Sequence, residues 1–142
     1  MRGTFKNDLP CVEIEVRGLG ETKTLEVVVD TGHNGHLTLP QIDAFPLGLR
    51  LDGIEDTQLA DGTSSKNLVC RGEVTCDGKT VTTVIDIFPD GMLLMGNSLL
   101  RKLNKKVISD IVADTVEIVE SEGPRPAIQL EEREPPLRMT GQ

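Results

Sequence analysis

Tryptophan and tyrosine are absent from the 142-residue chain, and phenylalanine occurs only three times. Proteins that hold single-stranded nucleic acid do so with aromatic platforms in a basic groove, and duplex affinity rests on phosphate neutralisation. With 15 basic against 23 acidic residues and a formal net charge of −8, the chain offers neither, so no nucleic-acid partner is expected. Long apolar runs are also missing. Met92-Leu93-Leu94-Met95 is typical of the longest, against the ~20 residues that a bilayer span requires, so no membrane span is expected. The opening residues MRGTFKNDLP lack the apolar stretch of ~7–15 residues that marks a secretory signal, which leads to the expectation of a cytoplasmic protein. The three cysteines, Cys11, Cys70 and Cys76, are odd in number and have no C-x-x-C spacing. This argues for reduced, buried thiols instead of a disulfide frame or a zinc site.

What is present is β pattern. Val12, Ile14 and Val16 alternate with Glu13, Glu15 and Arg17, as in a half-buried strand. Gly-rich residues 18–21 then turn the chain into a second strand over 24–30, whose end is continuously apolar, as in a strand covered on both faces. Residues 40–49 allow a helical turn or two before Pro46 stops it. A polar, Gly-containing tip over 57–67 reads as the mobile end of a hairpin. Asp77-Gly78 predicts a tight turn between strands 67–76 and 79–88. A short apolar strand before Gly96 leads into a helix carrying Leu99, Leu100 and Leu103, for which Asn97 or Ser98 is the predicted N-cap. Two more strands are expected within 106–120. Residues 121–142, rich in proline and charge, read as a disordered tail, leaving one domain over 1–120.

The second strand ends on a carboxylate, in Val27-Val28-Val29-Asp30-Thr31-Gly32-His33-Asn34-Gly35-His36. In order after it come Leu37-Thr38-Leu39-Pro40, the polar Ala60-Asp61-Gly62-Thr63 tip and Leu94-Met95-Gly96-Asn97-Ser98-Leu99-Leu100. This order and spacing resembles the retropepsin-like aspartic proteases and, more narrowly, the small prokaryotic clan AA proteins with a DTG-type site. The resemblance implies a mostly β, closed-barrel acid-protease fold with one or two short helices, acting as a homodimer on peptide or protein substrates with no cofactor. It implies Asp30 as the catalytic aspartate, Thr31 as the maker of cross-subunit hydrogen bonds, and Gly32 as the point of close backbone approach. Gln58, Leu59, Ala60, Asp61, Gly62 and Thr63 would form the flap, with His33 as a further substrate-side residue. Leu94, Met95, Gly96 and Asn97 would brace the active-site loop.

The chemistry requires a second carboxylate. In acid-type peptide hydrolysis one carboxylate takes a proton from water while its protonated neighbour polarises the scissile carbonyl. The chain has one Asp-Thr-Gly; the Asp-Gly pairs at 52, 61, 77 and 90 lack the intervening residue. Two copies on a two-fold axis would supply the pair, with the residues before Cys11 or the 106–120 strands as candidate interfaces. His33 departs from the Ser, Ala or Phe usual after this triplet, and an imidazole there could shift the pair's titration or touch substrate. Three other readings stand beside this one: a simple Asp turn after a strand, a dimeric peptide-binding or scaffold module without activity, and a metal-assisted hydrolase using His33 and His36, for which no further ligand completes a tetrahedral shell.

Overall fold

The computed structural model describes residues 1–58 and 60–124; Leu59 and residues 125–142, most of the segment read as a tail, lie outside the described residues. The fold is mostly β with two short helices. β1 (Arg2–Lys6), β2 (Leu9–Arg17) and β3 (Thr22–Val29) open the chain. β4 (Leu37–Pro40) follows the Asp-Thr-Gly segment and runs into α1 (Gln41–Ala44), which passes at Pro46 into a 3-10 turn, Phe45–Leu47. Then come β5 (Arg50–Gln58), β6 (Ser64–Cys76), β7 (Lys79–Phe88), β8 (Leu94–Met95), α2 (Asn97–Leu103), β9 (Lys105–Asp110) and β10 (Thr115–Glu120). All ten strands lie in one sheet, in the order β5-β6-β7-β4-β8-β3-β2-β1-β10-β9. An additional pairing of β6 with β2, Val16 opposite Val74, brings the sheet back upon itself.

Local sequence explains much of this. On β2 the alternation buries Val12, Ile14 and Val16 and leaves Glu13, Glu15 and Arg17 exposed, as period-2 side-chain placement requires. Asp77 and Gly78 both adopt positive φ (50° and 78°), the conformation of a two-residue hairpin turn with the twist that strands favour. Leu99, Leu100 and Leu103 place the inner face of α2 against a core shared with Val27, Val29, Leu37, Leu39, Ile85, Ile87 and Met95. The three cysteines are free and buried, and burial pushes the Cys76 thiol up to about 11.

Besides β4 and β5, which no sequence pattern announced, two features differ from expectation. Asn97 and Ser98 are not the N-cap of α2; Gly96 is, with no side-chain cap, because carbonyls of the Asp30 loop take the free N–H groups instead. In addition, β1 is a strand where none was predicted, paired to β2 on one edge and β10 on the other. Its turn, Asn7-Asp8 with φ of 51° and 64°, repeats the geometry of Asp77-Gly78.

Far from Asp30, Lys105 is 7% exposed and its Nζ donates to Asp77 (3.1 Å) and Glu120 (2.5 Å). The N-terminal ammonium donates to Ile118 O at 2.9 Å and lies 3.5 Å from Asp77. Beyond β10, Ser121 N donates to Asn104 O and Lys106 reaches Glu122. Hydrogen bonding to Lys105 holds the Asp77 and Glu120 carboxyls below their ordinary values of 3.8 and 4.5. A depressed folded-state value contributes stability above the unfolded value, and that contribution is lost as pH falls through the folded one. Thermal stability of the wild type is therefore expected to drop on acidification below about 4.5. Lys105→Met should flatten that part of a melting-temperature profile, and an unchanged acid limb would remove these pairs from the explanation.

Candidate active site

Asp30 leaves the end of β3 half-buried, while Thr31 and Gly32 are exposed. β3 runs parallel to β8, Val28 beside Leu94 and Val29 beside Met95. The ladder continues one residue further, with Asp30 N–H donating to Met95 O at 2.9 Å. The Asp30 carboxylate accepts from Gly32 N–H at 3.0 Å, and its carbonyl accepts from His33 N–H at 3.1 Å. This is the turn that a plain reading of the triplet predicts, and it aims the carboxylate at the loop's exposed side.

The rest of the loop is clamped over the start of α2. Gly96 N–H donates to His36 O (2.8 Å), Asn97 N–H to His33 O (2.8 Å) and Ser98 N–H to Gly35 O (3.0 Å). The Asn97 side chain donates to Thr31 O at 2.7 Å, and Ser98 Oγ donates to Asn34 O. A helix start leaves its first N–H groups without intrahelical partners; here the loop supplies the acceptors. The approach is close enough that a Cβ on Gly96 would lie 2.3 Å from Gly35 O and 2.8 Å from His33 O. Only glycine fits there.

The structure thus brings Asp30, Thr31, Gly32 and His33 together with Leu94, Met95, Gly96 and Asn97. The His33 ring packs between Gly35 and Gly96, which a Cβ would bring within 2.6 and 2.8 Å of it. Its Nε2 lies 3.4 Å from Thr38 Oγ1. His33 is therefore part of the loop's packing and not of the hairpin tip. The Thr31 hydroxyl makes no hydrogen bond within the chain among the described residues.

Gln58, Ala60, Asp61, Gly62 and Thr63 sit at the tip of the β5–β6 hairpin, where Gln58 pairs with Ser64; Leu59 lies outside the described residues. Asp61 is turned onto its own tip, accepting from Thr63 N–H (3.0 Å) and Oγ1 (2.6 Å), and these bonds lower its carboxyl. Lower on the hairpin, Thr57 Oγ1 donates to Asn67 Oδ1 at 2.8 Å and Lys66 meets Asp56 at 3.0 Å. Among the described residues no group of three His, Cys, Asp or Glu side chains is placed to hold a metal ion, and no helix is long and apolar enough to cross a membrane.

Sequence reasoning missed three contributors. Asn34 and Ser98 complete the clamp, but their pairing spans 64 positions and has no local signature. Asp86 interrupts the apolar run Val84-Ile85-Asp86-Ile87-Phe88, a visible signal that a charge faces something other than the core.

No family model and no curated protein sequence matches the chain. Among solved structures, it is similar to the EIAV protease complexed with the inhibitor HBY-793, at 17% identity and a TM-score of 0.58, over 70% of this chain and 92% of that one. The solution structure of the simian foamy virus (mac) protease matches at 19% identity and a TM-score of 0.48, over 68% of this chain and 97% of that one. The retropepsin-like character of the fold rests on the first of these.

Proposed function

We propose that the chain is an aspartic endopeptidase of retropepsin type, its sheet closed as a barrel by the β6–β2 pairing and its active site assembled from two copies. The observation that carries the reading is the placement of Asp30. It stands just past the mostly buried C-terminal end of β3, fixed through Met95 and a loop locked to α2, on a fold that resembles the EIAV protease. One Asp30 supplies one carboxylate, so the partner's copy completes the pair. Two such carboxylates at close range cannot both ionise, and they titrate as a coupled unit. The ionised one takes a proton from a water as it attacks the peptide carbonyl; the protonated one donates to the carbonyl oxygen. Thr31, whose hydroxyl makes no hydrogen bond among the described residues, is the residue that ties the two loops together. A place among the small prokaryotic DTG-type proteins rests on the Asp30–His36 sequence alone.

The free edges of the sheet narrow the choice of interface. β1 has both edges taken, whereas β9 ends the strand order. Its Ile108 is 49% exposed, and Ile111 and Val112 at the adjoining turn are 70% and 98% exposed. Antiparallel pairing of two β9 strands centred on Ile108 would set Lys106 opposite Asp110 of the partner subunit and stack the two isoleucines. Ile108→Lys places a charge in both copies of that contact. Losing two buried isoleucines costs about 3 kcal/mol or more, ~100-fold in Kd. Sedimentation velocity is expected to show a dimer for the wild type and monomer for the variant, with peptidase activity lost in parallel; an equally tight variant dimer would remove β9 from the interface.

A further inference from the structure

Asp86 lies on the face of the sheet that carries Asp30. Its neighbours Ile85 and Ile87 are buried in the core, so the side chain between them points the other way. The register carries that face across the sheet: Asp86 pairs with Thr38, Thr38 with Leu94, and Leu94 with Val28. Asp30 follows Val28 by two positions. In the other direction Asp86 pairs with Val69 of β6, two residues from Asn67, which pairs with Glu55. Asp86 therefore stands on the wall between the Asp30 loop and the base of the β5–β6 hairpin.

Several carboxylates elsewhere meet cations: Asp56 meets Lys66, Asp52 meets Arg71, and Asp77 and Glu120 meet Lys105. Arg71, two residues along β6 from Asp86's partner Val69, is thus already held by Asp52. Asp86 has no such ion pair among the described residues, although it is half-buried. The charges that bear on it are mixed. Burial and the facing Glu55 push its carboxyl up, while His33 and His36 act against them; His36 is itself pushed down by burial and Lys102. A partly desolvated carboxylate facing a second carboxylate is stabilised by an incoming cation.

We propose that Asp86 is a specificity-determining residue of the cleft that receives a lysine or arginine side chain of the bound peptide. The proposal rests on the endopeptidase reading for the use of the cleft, but its test separates the two. Wild type, Asp86→Asn and Asp86→Lys are incubated with a decapeptide library carrying lysine, arginine, norleucine or glutamate at one randomised position, and the cleaved sites are read by mass spectrometry. In parallel, affinity for matched lysine and norleucine peptides is measured in the Asp30→Asn background, with and without Asp86→Asn. Cleavage by the wild type should be enriched in Lys and Arg at a fixed distance from the scissile bond. The lysine-to-norleucine ratio of kcat/KM should fall ~10-fold in Asp86→Asn, and Asp86→Lys should shift the preference to glutamate. Binding should show the same ratio without turnover. Cleavage with no cationic enrichment, or an enrichment that Asp86→Asn and Asp86→Lys leave untouched, overturns the assignment. A charge-dependent binding preference without any cleavage supports Asp86 and overturns the endopeptidase reading. Absence of both binding and cleavage overturns both, provided that melting curves show the proteins folded.

Discussion

Asp30→Asn is expected to abolish peptide hydrolysis while leaving the fold and the dimer in place. The amide keeps the size of the carboxylate and can still accept the Gly32 N–H that Asp30 Oδ1 accepts at 3.0 Å. It cannot take a proton from water. Because the substitution enters both halves of the proposed pair, and a positioned acid or base contributes ~10²–10⁴-fold, the loss should be ~10⁴-fold or greater. The measurement is kcat/KM on any peptide that the wild type cleaves, with light scattering on the same samples. Hydrolysis that survives the change would rule out an aspartate-activated water. A wild type that dimerises and binds peptide without cleaving it would favour a binding module on the same fold.

Gly96→Ala is expected to damage the site from beneath. The added methyl would lie 2.3 Å from Gly35 O, with His33 Cδ2 and His33 O each at 2.8 Å; two of these atoms are backbone carbonyl oxygens and the third belongs to the imidazole ring, so none has a free direction to move. Overpacking of this kind costs about 1–3 kcal/mol. The displaced atoms belong to the clamp itself, so activity should fall more than stability does. A melting temperature a few degrees lower with kcat/KM down by ~100-fold is the expected pattern, since small misplacements of a catalytic group cost that much. Gly62→Ala serves as a contrast: a Cβ there meets nothing within 4 Å, although φ is +87°. Gly96→Ala with full activity would show that the loop does not depend on this fit.

Much of the framework was legible because local pattern and tertiary role agree. The alternation of Val12, Ile14 and Val16, the Asp77-Gly78 turn, the stop at Pro46 and the leucines of α2 each declare a burial or a backbone state within a few residues. β4 and β5 declared nothing. The four residues of β4 are all buried, so no alternation shows, and β5 is exposed along most of its length because it projects as half of a hairpin. The cap of α2 was misread for a related reason. Side-chain capping leaves a sequence signature, but backbone carbonyls 60 or more positions earlier in the chain leave none. The same holds for the site: Asp30 and the Leu94–Asn97 segment could be named from sequence, whereas the bonds joining them could not.

The clamp also decides what the loop can offer a peptide. From Asp30 to His36, six of seven carbonyls already accept hydrogen bonds, from His33, Asn97, Ser98 and Gly96. The exception is Gly32, beside the carboxylate. On the proposed endopeptidase reading, an extended peptide brings an N–H every second residue toward that loop and finds one backbone carbonyl there unoccupied among the described residues. On that reading the Gly32 carbonyl is where the loop would fix the peptide's register, and the peptide unit presented to Asp30 would follow from where that bond forms.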